Sequence, residues 1–375
     1  MPHETVSEPR SMLGADQVNR ALAEGLAGPL LEACGGRLEG LTWFRTDWQR
    51  GGAATAHGRW TSGQTGGQTG GQNGNQNGGS HGGTPPFGPS DAPSEGRRDS
   101  ADGTAETFLR VVVKLPVNNR ELLWMRRLQE VPPGDTAPPV VPRLFASGES
   151  LADYDLAWIV IEQLPYGPLG AHWHADHVQR IAEAAARFAA ATAAHPVDRE
   201  PRHEEWDRLL AAARDAVKVN SPPERQRWTA ALKSVAPRLE ALVREWESRR
   251  PIEWLHGDLH LANAMSRDHA DRGAVCLLDL AEVRPGHWTE DAIYLERQLW
   301  ARPERLKEHK PVKSIAEARR ARGLENGDDY NRVAALRRLL LATTAPAFLK
   351  SEGSPVYLTA CLERLEASLA QLGPR

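Results

Sequence analysis

Polar and apolar positions change their period once along this chain. Through about residue 164 apolar residues come in short, β-branched or alternating runs; beyond it they recur every three to four residues, predicting a strand-rich first part and a helical second. A helix is expected first, over 16–33, where Val18, Leu22, Leu26, Leu30 and Leu31 share a face, Asp16 stands at the start and Gly35-Gly36 ends the run. Strands are expected over 38–48 and 53–60, joined by Gly51-Gly52, then over 107–114, ending at Lys114, over 143–146 and over 156–161. Between the third of these and the fourth, Asn119 opens a helix whose spacing puts Glu121, Trp124, Met125 and Leu128 on one face. Later helices are expected over 176–192, 203–218, 225–248 (with Pro237 a kink), 289–301, 328–349 and 355–371.

The pattern stops between Thr61 and about Ala105. Gly-Gln-Thr-Gly and Asn-Gly repeats followed by Pro, Ser and charged residues contain almost nothing that a core would take up, so the segment reads as a disordered expansion of a hairpin loop. A chain of 375 residues exceeds what one core usually supports, and two lobes are expected, 1–164 and 165–375. A net charge of −3 gives no sign of a nucleic-acid partner, and no apolar run is long enough to span a bilayer. Cys34, Cys276 and Cys361 are widely spaced and cannot all pair, which together with the absence of a basic-then-apolar leader reads as a soluble, cytoplasmic protein with reduced thiols. Oligomeric state has no signature here.

Chemistry concentrates in 254–282. Asp258 and Asn263 share one short loop, and Asp279 follows the apolar run Ala274–Leu278, so three oxygen-bearing groups can converge. Such a trio suits phosphoryl transfer: one carboxylate holds the attacking hydroxyl, while an amide oxygen and a second carboxylate hold a magnesium ion against the phosphates. Upstream, Glu121 is a carboxylate on an apolar helix face and needs a partner, for which Lys114 is the obvious candidate.

His256-Gly-Asp-Leu-His-Leu-Ala-Asn263 followed by Leu278-Asp279 resembles the signature of the aminoglycoside phosphotransferase and choline kinase superfamily. The resemblance implies an α+β, protein-kinase-like two-lobe fold, with a small β-rich N-terminal lobe for the nucleotide and a mostly helical C-terminal lobe for catalysis and acceptor. It implies ATP and Mg2+ as cofactors, Asp258 as the catalytic residue, Asn263 and Asp279 as metal ligands, and the Lys114–Glu121 pair on the α- and β-phosphates. It also implies a hinge at Glu162-Gln-Leu164, where the Glu162 carbonyl and the Leu164 amide would contact adenine. His256 reads as a hydrogen-bonding support under the loop, and His260 is given no role.

Just past Asp279, Glu282, Asp291 and Glu296 crowd around Trp288. With Asp258 they would suit a sugar bearing an ammonium group, glucosamine-like or an aminoglycoside; equally, acids at 290–291 would favour the N-terminal dipole of the next helix. A neutral-sugar or amino-alcohol kinase and a non-catalytic nucleotide-binding pseudokinase are the alternatives. Excision of residues 62–104 is expected to leave a folded, active protein, since loop closure depends only weakly on length; unchanged turnover and thermal midpoint of the excised form would bear this out.

Overall fold

The computed structural model describes residues 12–46, 52–61, 95–98, 106–130, 137–269, 273–327, 329–348 and 354–373. Two compact units emerge. One runs to Val117 and resumes over Arg143–Gln163; the other comprises Asn118–Pro142 and Leu164–Arg375.

The first unit is a helix laid on a sheet. Helix α1 spans Met12–Ala33, so Asp16 lies inside it rather than capping it. Strands β1 (Leu38–Arg45), β2 (Ala54–Thr61), β3 (Glu95–Arg98), β4 (Glu106–Leu115), β5 (Leu144–Gly148) and β6 (Trp158–Glu162) form one antiparallel sheet in the order β1-β2-β4-β6-β5, with β3 added beside the start of β4. Alternation decides which face is buried. In β4, Val111, Val113 and Leu115 are fully buried while Val112 and Lys114 are only partly so, and the buried set packs with Leu26 and Leu30 of α1, Cys34 just after it, Ala56 and Trp60 of β2, and Val160 of β6. The whole of β6 is buried, as suits a strand paired on both edges.

Two expectations need revision here. Glu95–Arg98, expected to be unstructured, pairs with Glu106–Leu109 because an open ladder edge accepts any backbone; the remainder of the low-complexity segment and the Gly51 turn lie outside the described residues. Residues 118–142, expected in the N-terminal lobe, group with the helical unit. Helix α2 (Asn119–Arg127) explains this, since Trp124 is buried against Trp254 and His195 and Arg120 donates to the Ala281 carbonyl. The stretch that follows is stitched in by backbone carbonyls: Pro138 receives Arg187, and Pro139 and Val141 receive Arg267.

The second unit is otherwise helical. α3 (His177–Thr192), α4 (Trp206–Asn220), α5 (Arg225–Val235) and α6 (Leu239–Glu247) follow the expected runs, with a 3-10 turn over Ala236–Arg238 where Pro237 interrupts the long stripe. Asp176 makes no side-chain cap to α3. Two short ladders follow, β7 (Glu253–Leu255) with β10 (Arg284–Gly286) and β8 (Ala264–Ser266) with β9 (Val275–Leu277). Then come α7 (Thr289–Arg297), α8 (Pro303–Glu308), α9 (Pro311–Ala321), α10 (Tyr330–Thr344) and α11 (Pro355–Leu372). The pattern reading missed α8 and α9. The buried side of α9 is largely Ala and Arg319 beside Val312 and Ile315, which gives the 3.6 period little contrast. Arg319 is nevertheless interior, forking onto both oxygens of Glu253 at 2.5 and 2.9 Å.

All three cysteines are buried free thiols, and burial pushes that of Cys34 up to about 11. Among the described residues no helix is long and apolar enough to cross a membrane. Ile159, fully buried in β6, makes the core prediction: Ile159→Ala should cost about 2–5 kcal/mol, read as a lower denaturant midpoint at unchanged slope.

Candidate active site

The site is built where the two ladders of the helical unit deliver their ends. β7 feeds directly into His256-Gly257-Asp258, a 3-10 turn over Leu261–Asn263 closes the loop, and β8 begins at the next residue. Register does the rest. Ala264 pairs with Leu277, and the Leu278 amide donates to the Asn263 carbonyl at 2.9 Å, so Asn263 and Asp279 lie at the same end of one ladder. Asp279 is exposed and has left-handed backbone (φ 61°, ψ 73°), a conformation that Asp and Asn tolerate better than most residues. Strained backbone of this kind gathers at functional sites.

The Asp258 carboxylate is enclosed by donors. His260 Nε2 lies 3.3 Å from Oδ2, Asn263 Nδ2 donates to Oδ2 at 2.8 Å and to the Asp258 carbonyl at 3.1 Å, and the Tyr294 hydroxyl completes the set. The bond from His260 above all, then those from Tyr294 and Asn263, outweigh the cost of burial and bring the carboxyl down to about 2. A carboxylate has about four acceptor positions, so it retains room for a further hydroxyl. Because the Asn263 amide nitrogen is committed to Asp258, Oδ1 is the acceptor end. With the Asp279 carboxylate it makes a pair of hard oxygen donors of the kind Mg2+ takes together with phosphates and waters.

Below the loop, His256 joins the two halves. Its Nδ1 accepts from the Asp258 amide at 3.3 Å and its Nε2 meets the Leu278 carbonyl at 2.9 Å. Complete burial lowers the imidazole to about 4, so the ring is neutral and the Nε2–H tautomer serves both bonds. Asp291 completes the support: Oδ2 accepts from the His256 amide at 2.8 Å and Oδ1 from the Gly257 amide at 2.9 Å. Gly257 has φ +83°, and a Cβ there would meet the Glu282 carbonyl oxygen at 2.0 Å, so no other residue lets the loop lie this close.

These bonds overturn the acidic acceptor pocket expected from the sequence. Asp291 is spent on the loop. Glu296 is buried, taken on both oxygens by Arg338 at 2.7 Å and bonded by Trp300 Nε1 at 3.1 Å. Trp288 is buried with its indole N–H on the Asn326 carbonyl at 2.9 Å. Only Glu282 remains exposed. Each buried carboxylate has met a donor, as burial requires, and so none of these three is offered to a ligand. The reading missed Tyr294, one turn along α7 from Asp291 and without any motif to mark it, and gave no role to His260.

In the other unit, Lys114 stands on β4 among partly buried positions, and the Glu162 carboxylate accepts from the Arg143 amide at 3.1 Å. Glu121 is buried on α2 and Leu164 is buried just beyond the first unit.

Residues 102–336 match the phosphotransferase enzyme family, and the chain belongs to that family. It is an ATP-dependent small-molecule kinase with the kinase-like α+β fold. No curated protein matches the sequence. Solved structures of similar fold include a glucosamine kinase (18% identity, 70% of this chain and 74% of that one, TM-score 0.42), a microcompartment-associated aminopropanol kinase (18%, 76% and 95%, 0.48) and the aminoglycoside phosphotransferase APH(4)-Ia (12%, 94% and 100%, 0.47).

Burial raises the Asp291 carboxyl from 3.8 to about 6, against the pull of Arg284 and the two amides. Between those values the folded chain keeps a proton that the unfolded chain has released, so this group's contribution to stability falls as pH rises from about 4 to 6. Asp291→Asn lacks this group, so the wild type's unfolding midpoint relative to the variant's should fall as pH rises from about 4 to 6 and level off above. The substitution should also lower turnover, because the amide nitrogen cannot accept from the second N–H.

Proposed function

We propose that this kinase moves the γ-phosphoryl group of ATP to a hydroxyl of a small sugar or aminoglycoside-sized acceptor, with Asp258 orienting the hydroxyl. What carries the reading is the Asp258 carboxylate, ringed by three donors at the ladder end that bears Asn263 and Asp279. A carboxylate held near 2 is ionised at every working pH and is a weak base. It therefore aligns the hydroxyl and takes its proton late, which suits a loose transition state that needs position and charge more than deprotonation. Asn263 and Asp279 would hold Mg2+; bound there, the ion neutralises charge on the phosphate oxygens. Lys114 would take the α- and β-phosphates, and the backbone of Glu162 and Leu164 would read adenine. The acceptor is left wide because two of the acids that favoured an amine, Asp291 and Glu296, have interior partners.

Asp258→Asn should lower kcat by roughly a hundredfold or more while ATP affinity stays within a few-fold. ADP release with a panel of sugars and aminoglycosides measures it, and near-normal turnover would remove Asp258 from the mechanism. Asp279→Ala should lose Mg2+-dependent binding of a non-hydrolysable ATP analogue. Equal affinity with and without Mg2+ in both proteins would count against the metal assignment.

A further inference from the structure

His260 stands between Asp258 and Asn263 and is bonded to the chain on both sides. Its Nδ1 accepts from the Ala262 amide at 3.0 Å and its carbonyl from the Asn263 amide at 3.0 Å, so it caps the 3-10 turn over Leu261–Asn263. A ring nitrogen that accepts carries no proton, which places the proton of this ring on Nε2. That nitrogen lies 3.3 Å from Asp258 Oδ2. The bond to the backbone thus fixes the tautomer, and the tautomer aims a donor at the carboxylate.

The two oxygens of Asp258 are therefore not equivalent. Oδ2 accepts from His260 Nε2 and, at 2.8 Å, from Asn263 Nδ2, which takes up both of its lone pairs. Oδ1 keeps at least one lone pair, whichever oxygen the Tyr294 hydroxyl meets. Rotation of an Asp carboxylate about its last bond is broad and nearly two-fold, so a single bond to Oδ2 would let the oxygens exchange at little cost. A second donor on the same oxygen removes that freedom.

Tyr294 brings a hold from outside the loop. It stands on α7 and donates to the same carboxylate, with its ring 6.2 Å from that of His260 and the Arg297 guanidinium 5.0 Å from its other contacts on the ring centroid. Loop and helix grip one group.

We propose that His260 is a positioning residue for phosphoryl transfer, that it locks the Asp258 carboxylate with Oδ1 facing the acceptor hydroxyl, and that Tyr294 supplies the second hold. Through the turn it caps, His260 also ties that carboxylate to Asn263. The inference rests on Asp258 as the residue that orients the hydroxyl. Its size follows from geometry, because a reacting group displaced by about 1 Å can cost on the order of a hundredfold in rate.

Two substitutions separate positioning from support of the turn. His260→Asn keeps an oxygen near the place of Nδ1 and is a good cap, but has nothing at the place of Nε2. His260→Gln carries an amide N–H to about the place of Nε2 and gives up the cap. Positioning predicts that His260→Asn lowers kcat roughly ten- to hundredfold with the KM for ATP within a few-fold, and that His260→Gln recovers most of the loss. The reverse order, with His260→Asn near wild type and His260→Gln impaired, would overturn the proposal. Tyr294→Phe should lower kcat as well, and the double variant should lose less than the product of the two, because either change frees the same carboxylate. ADP release with kanamycin, glucosamine and water as acceptors reads these effects.

A long-range proton–nitrogen NMR spectrum of the full chain, labelled at histidine, reads the ring without any acceptor. The His260 signals, identified by their loss in His260→Asn, should show the proton on Nε2, and the Nε2 resonance should move in Asp258→Asn. A proton on Nδ1, or an Nε2 resonance indifferent to Asp258→Asn, would overturn the inference. Turnover retained by Asp258→Asn would overturn the proposed function and this inference with it. Turnover lost there but kept in His260→Asn would overturn the inference alone.

Discussion

One buried carboxylate, that of Asp291, holds the backbone on which the chemistry depends. It receives the amides of His256 and Gly257 from the first turn of α7, and so fixes where the chain turns into Asp258. Two backbone N–H groups left without an acceptor in this interior would cost more than most single contacts return, so the loop has little freedom to sit elsewhere. His256 extends the constraint sideways to the Leu278 carbonyl. Asp258 and the strand end carrying Asp279 thereby share one support.

Around that point the interior is held by arginine. Glu290, next to Asp291, would be raised by burial, but Arg337, Arg284 and Arg249 bring it down to about 2. Arg284 reaches it at 2.7 Å and Arg249 at 3.1 Å. Arg337 also bonds Glu204 at 2.7 Å, just ahead of α4. The same cation therefore bears on Glu290, beside the loop's support, and on the entry to α4. Forked guanidinium contacts suit this task, since one Arg satisfies several acceptors without adding a mobile proton.

Much was legible along the chain, and the reasons are local. Val111, Val113 and Leu115 alternate within β4, and the stripe interrupted at Pro237 splits into α5 and α6, because period and proline act within a few residues. The loop from His256 to Asn263 and the strand before Asp279 were readable because their residue types and spacing are local as well, and membership of the phosphotransferase enzyme family agrees with the resemblance they carry. Helix α9 escaped because its buried side mixes Ala and Arg319 with only two large aliphatic residues, Val312 and Ile315, and residues 118–142 were assigned to the wrong unit because packing partners such as Trp254 lie far along the chain.

By itself the sequence determined the class of chemistry and the order of elements, since both are written in short-range pattern. Only the tertiary structure decided the fate of each charge. Asp291, Glu290 and Glu296 stand together with Glu282 as an acidic cluster in one dimension, yet each of the three is taken by an amide or a guanidinium brought from elsewhere. Glu204 and Trp206 carry no motif at all, and line one groove with Tyr294 only once α4, α7 and α10 have packed. Burial sets what a carboxylate can do, and burial is a property of the fold.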